Sequence, residues 1–118
     1  MAVQTHTACV ALGANIGEPL RQIEAGFAAL AALPGTRLLA RSSLYRSAPV
    51  GYADQPDFIN AVAMIETTLA PHALLAALLD IERTNGRVRE FPNAPRTLDL
   101  DIVLYGDVIL HEPGLTIP

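Results

Sequence analysis

Phe58-Ile59-Asn60-Ala61-Val62-Ala63-Met64-Ile65-Glu66 alternates with a period of two, and that alternation decides the fold. Successive side chains of a strand point to opposite faces. Ile59, Ala61, Ala63 and Ile65 therefore take one side, and Asn60, Val62, Met64 and Glu66 the other. A strand is predicted over 58–69, and the neighbouring segments are placed around it. Upstream, Thr7 to Leu12 reads as a short buried strand that Gly13-Ala14-Asn15-Ile16-Gly17 ends in a turn. Pro19 suits a first helical turn, and Leu20, Ile23, Phe27 and Leu30 recur at helical spacing as far as Pro34-Gly35. Leu38 to Val50 is extended, because Ser42, Ser43, Tyr45 and Ser47 favour strand over helix, and a loop runs to Pro56. Downstream, Pro71 opens a second helix with a seam of Leu74, Leu78 and Ile81, widened by Leu75 and Leu79, and Asn85-Gly86 stops it. A polar stretch from Arg87 to Pro95 leads into a strand from Leu98 to Tyr105. After Gly106-Asp107, only Val108 to Leu110 reads as a further short element.

Strand, helix, strand, strand, helix, strand is the α+β, ferredoxin-like βαββαβ order. It implies an antiparallel four-stranded sheet with both helices on one face. The 118 residues suit one domain, and 51% hydrophobic with 17% charged residues excludes a disordered chain. A net charge of −4, no lysine and three residues each of Phe and Tyr argue against a nucleic-acid surface or an anionic membrane as partner. Yet four of the eight arginines, Arg83, Arg87, Arg89 and Arg96, lie within fourteen residues, a local charge suited to a small polyphosphate. Cys9 is the single cysteine and is expected to fill core volume. His6, His72 and His111 lack metal-ligand spacing and read as surface residues. With no secretory segment and no apolar run of about 18 residues, a soluble cytoplasmic protein is expected.

The chemistry concentrates in Arg96-Thr97-Leu98-Asp99-Leu100-Asp101. On a strand, Leu98, Leu100, Ile102 and Leu104 are expected to face the helices while Asp99 and Asp101 project from the other side, with Val103 and Tyr105 continuing their face. Two carboxylates roughly 6–7 Å apart along a strand suit one hard cation or bracket two, and magnesium takes oxygen ligands while keeping waters and substrate phosphates. The competing reading is a pair of solvated acids on a half-buried strand. Arg96, Arg87 and Arg89 offer guanidinium groups that grip phosphate oxygens, or for the last two simple solvent exposure. Glu82 reads as a helix-surface acid paired with a nearby arginine, or as a ligand contact. Asn60 and Phe58 share a strand face, where an amide and an aromatic ring make a pocket for a flat heterocycle.

Taken together, Ala11-Leu12-Gly13-Ala14-Asn15-Ile16-Gly17, Ser42 to Gly51, Gln55-Pro56-Asp57-Phe58-Ile59-Asn60-Ala61, Glu82, Gly86-Arg87-Val88-Arg89 and Ala94 to Ile102 resemble one family. It is 6-hydroxymethyl-7,8-dihydropterin pyrophosphokinase of folate biosynthesis, and the likeness runs through the chain in order. The resemblance implies transfer of diphosphate from ATP to a reduced hydroxymethyl pterin, with release of AMP. It implies two magnesium ions on Asp99 and Asp101, phosphate contacts from Arg87 and Arg96 with help from Arg89, and Glu82 and Ile102 on the nucleotide side. Phe58 would stack on the pterin, Asn60 would read its polar edge beside backbone near Ser47 and Val50, and Asp99 would also meet this substrate. A monomer is expected. Phe91 to Arg96 departs from relatives that carry an aromatic residue with a basic neighbour there, and Glu90 is negative. The resemblance also implies a histidine-proline segment, an arginine and a second aromatic beyond Pro118, so the chain is expected to be incomplete at its C-terminus. Turnover at least about 100-fold below that of an extended protein is expected on this ground, since positioned charge and stacking partners are absent. A non-catalytic ferredoxin-like domain, binding a small molecule or another protein, is the alternative.

Overall fold

The computed structural model describes residues 4–48, 57–84 and 98–117. Its elements run β1 (His6–Ala14), α1 (Pro19–Ala31), β2 (Thr36–Arg41), β3 (Tyr45–Ser47), β4 (Phe58–Thr67), α2 (Pro71–Thr84), β5 (Asp99–Tyr105), β6 (Leu110–Glu112) and β7 (Leu115–Ile117). The main sheet has the order β2-β4-β1-β5, every pair antiparallel, with β3 also paired to β4. This is the α+β, ferredoxin-like arrangement expected from the order of elements.

Each helix lays an apolar stripe on the sheet. Ile23, Phe27 and Leu30 of α1 and Leu74, Leu78 and Ile81 of α2 are buried against Ala8, Val10 and Leu12 of β1 and Ala61, Ala63 and Ile65 of β4. Pro19 stands at the start of α1 as predicted, but Leu20 falls outside the stripe and is exposed. Gly26 lets α1 approach closely, because a Cβ there would stand 2.7 Å from Leu12 Cδ2.

Four sequence expectations are corrected by the register. β1 runs through Gly13 to Ala14 rather than turning at Gly13, so Gly13 sits in the ladder; Gly17, with φ 68°, supplies the turn. Cys9 is half-buried on the face away from the helices, because the buried members of β1 are Ala8, Val10, Leu12 and Ala14. On β5, Leu104 pairs with Cys9 but Ile102 pairs with Val10, leaving Val103 as an extra residue in a bulge. The bulge reverses the alternation, so Tyr105 turns into the core at 2% exposure and Leu104 faces outward at 53%, opposite to the expected assignment. Finally, residues 110–117 form a hairpin, β6 with β7, turned at Gly114 (φ 84°) and buried through Leu115 and Ile117.

The segment expected to be one extended stretch is two short strands on the same side of β4. β2 pairs with the Ala63–Thr67 end and β3 with Phe58–Asn60. Ser42 joins them, donating its N–H to the Val62 carbonyl at 2.8 Å and accepting the Val62 N–H on Oγ at 2.8 Å. His72 and His111 are exposed, and His6 is half-buried with its ring 5.1 Å from that of Tyr105. Among the described residues, no helix is long and apolar enough to cross a membrane.

Candidate active site

Three strands meet at Gly13. It pairs with Asn60 of β4 on one side and Asp99 of β5 on the other, and two residues earlier Ala11 pairs with Val62 and Asp101. These residues lie on the face turned away from the helices, since Leu12, Ala61 and Leu100 between them are in the core. Neighbouring strands are roughly 4.8 Å apart, so Gly13 and Ala11 form a floor of small residues between an amide and two carboxylates. Phe58, two residues before Asn60, completes the rim. Together they line a cavity of about 100 Å³ with Phe58, Asn60, Gly13, Ala11, Asp99 and Asp101 on its wall.

The orientation of Asn60 is set by β3. Its Nδ2 donates to Ser47 Oγ at 2.7 Å, and Oδ1 lies toward Gly13, 3.3 Å from where a Cβ on that glycine would be. The amide therefore presents an acceptor over the floor. Asp99 is half-buried and Asp101 exposed. Among the described residues, no three histidine, cysteine, aspartate or glutamate side chains gather as a metal cage. Two carboxylates on an open floor nonetheless fit magnesium, whose remaining ligands are ordinarily water and substrate phosphate oxygens.

The predicted residues divide as follows. Phe58, Asn60, Asp99 and Asp101 come together, and Ser47 joins them through Asn60. Ile102 is buried in the core on the helix side, so its side chain is turned away from the carboxylates. Glu82 is not a helix-surface acid: it is 3% exposed, and its Oε2 accepts the backbone N–H of Leu100 at 2.7 Å. Val50, Arg87, Arg89 and Arg96 lie outside the described residues. Gly13 was expected only as part of a turn, Gly13 to Gly17, that could pass close to a ligand, and Ala11 was not predicted at the site. The signal was present in the dwindling side chains Thr7, Cys9, Ala11 and Gly13 along one face of β1. A larger cavity of about 330 Å³ lies between the helices, lined by Leu33, Ala77 and Ile81; its one acid, Asp80, is paired with Arg83. With an apolar lining and no donor set for phosphate or metal, it is not the candidate site.

Residues 9–118 match the profile of the 7,8-dihydro-6-hydroxymethylpterin-pyrophosphokinase family. The chain belongs to this family. It is 54% identical over 109 residues to the 2-amino-4-hydroxy-6-hydroxymethyldihydropteridine pyrophosphokinase of Pseudomonas aeruginosa, covering 92% of this chain and 67% of that one. The protein of the same name from Haemophilus influenzae is 50% identical over 112 residues, covering 95% and 70%. The folic acid synthesis protein fol1 of Schizosaccharomyces pombe is 42% identical over 117 residues, which span 99% of this chain and 16% of that protein. Membership makes this a transferase of the pyrophosphokinase type and disfavours the non-catalytic alternative. In this family member, the three-strand junction at Gly13 is the place where an aromatic ring, an amide and two carboxylates converge.

Proposed function

We propose that this chain transfers the terminal diphosphate of ATP to the hydroxymethyl oxygen of 6-hydroxymethyl-7,8-dihydropterin, releasing AMP, in folate synthesis. The observation that supports the reading most is the floor at Gly13, with a heterocycle-reading side (Phe58, Asn60) and a carboxylate side (Asp99, Asp101) around one cavity. The hydroxymethyl oxygen forms a bond to the β-phosphorus while the bond from that phosphorus to the α,β-bridging oxygen breaks. AMP carries away the bonding pair, and the hydroxyl proton passes to solvent.

Phe58 supplies a ring face for the pterin. Asn60 Oδ1, held by the bond from Nδ2 to Ser47, accepts from a pterin N–H. Backbone near Ser47 and Val50 assists. Asp99 and Asp101 would hold two magnesium ions, which when bound would supply positive charge against the phosphates. Asp99, nearer Gly13, also borders the pterin. Arg87 and Arg96 pair with phosphate oxygens, aided by Arg89, and Ile102 borders the nucleotide through its backbone. Positioning and charge neutralisation carry most of phosphoryl transfer, so no strong general base is required. The enzyme works as a monomer in the cytoplasm.

The test is calorimetric and chemical. A nonhydrolysable ATP analogue should bind with magnesium and weakly without it, and AMP should appear only when ATP, magnesium and the reduced pterin are all present. Ligand binding without AMP production would sink the reading in favour of a sensor.

A further inference from the structure

Glu82 occupies a position that is unfavourable for a carboxylate on two counts. It lies in the last turn of α2, where the helix dipole disfavours negative charge, and it is 3% exposed, where an ionised group loses its hydration. The adjacent Arg83 points elsewhere, pairing with Asp80 on the solvent side. Glu82 also reaches β5: its Oε2 accepts the Leu100 N–H at 2.7 Å. That N–H belongs to the peptide unit joining Asp99 to Leu100, and the next residue is Asp101. Among the described residues, β5 is the edge strand of the main sheet, with β1 as its one hydrogen-bonded strand neighbour.

We infer that Glu82 is a positioning residue for the Asp99/Asp101 pair, fixing from α2 the peptide plane that sets where the two carboxylates stand. The inference rests on the proposed role of those carboxylates in magnesium–nucleotide binding. A buried backbone N–H left without an acceptor is costly, and here the Glu82 side-chain oxygen accepts where no strand does among the described residues. α2 thereby becomes the rigid support of the carboxylate side, as β3 supports the amide side through Ser47.

Two variants and one exchange measurement test this. Glu82→Gln keeps a carbonyl acceptor for Leu100 and removes the charge, whereas Glu82→Ala removes both. The magnesium concentration needed for half-maximal binding of a nonhydrolysable ATP analogue should rise about 10-fold or more in Glu82→Ala, the scale seen when supports of metal ligands are lost. Glu82→Gln should stay within about 3-fold of the parent, because the acceptor remains. Equal damage in both variants would mean that the charge itself meets the ligand, and no change in Glu82→Ala would mean that β5 needs no support; either overturns the inference. Amide hydrogen exchange on the unliganded parent protein serves even where Glu82→Ala does not fold. Leu100 should exchange slowly in the parent and in Glu82→Gln, and exchange at the rate of an open strand edge overturns the inference. AMP release bears on the proposed reaction alone, so the two can fail separately.

Discussion

Asn60 Oδ1 stands 3.3 Å from the point that a Cβ on Gly13 would occupy. β1 therefore crosses the candidate site where any side chain would crowd the Asn60 amide and make it shift, although its backbone there is ordinary strand. Gly13→Val should displace the Asn60 amide and fill the floor. Pterin affinity, read by fluorescence titration, is expected to fall by about 10-fold or more, while thermal stability holds or rises because valine suits a strand. A Gly13→Val protein that binds pterin normally would show that the heterocycle lies elsewhere.

Asp99→Asn and Asp101→Asn should leave the fold intact and remove the magnesium response. Asp101 is exposed, so its substitution should alter stability by no more than about 0.5 kcal/mol. Turnover is expected to fall about 100-fold or more in either variant, from loss of charge aimed at the transferring group. Calorimetry with and without magnesium checks the binding half of this expectation.

Leu115 is buried in the core, and Thr116 beside it on β7 is exposed. Leu115→Ala should therefore cost about 2–3 kcal/mol in urea unfolding, and Thr116→Ala about 0.5 kcal/mol or less. Equal costs would show that the C-terminal hairpin is not packed as part of the domain.

Glu24 and Arg41 form an exposed pair at 2.5 Å, and the guanidinium holds the Glu24 carboxyl below its ordinary value of 4.5. A depressed carboxyl adds stability above its unfolded value and loses it as pH falls through the folded one. The melting temperature of the parent minus that of Glu24→Gln should thus be small and positive at neutral pH and vanish on acidification below 4.5. Added salt should shrink the same difference at neutral pH.

The element order was legible because the long segments at the centre of the fold carry a clean period. Phe58 to Thr67 alternates without a break, and Ile23, Phe27 and Leu30 recur as a stripe, so strand and helix followed. The carboxylates and the Phe58–Asn60 pair were legible for the same reason, as members of one strand face. Cross-strand facts were not. That Gly13 lies between Asn60 and Asp99 depends on two registers at once, and no single segment encodes either. Glu82 was misplaced because burial of a terminal-turn acid depends on where α2 lies against β5, whereas its local setting beside Arg83 suggested a surface pair. The hairpin after Tyr105 escaped because each of its strands is only three residues long, too short for a period to declare itself.

The extra residue at Val103 has a consequence for folding fidelity. Before it, β5 sends Leu100 and Ile102 inward and the aspartates outward; after it, Tyr105 goes inward and Leu104 out. The strand is written in two opposite phases joined by one stutter. Sliding it by one position against β1 would bury both aspartates and expel two aliphatic side chains, a misalignment that the whole apolar interior resists. The bulge thus acts as a keyed joint: β5 has one seating in the sheet, and that seating turns both acids away from the helices.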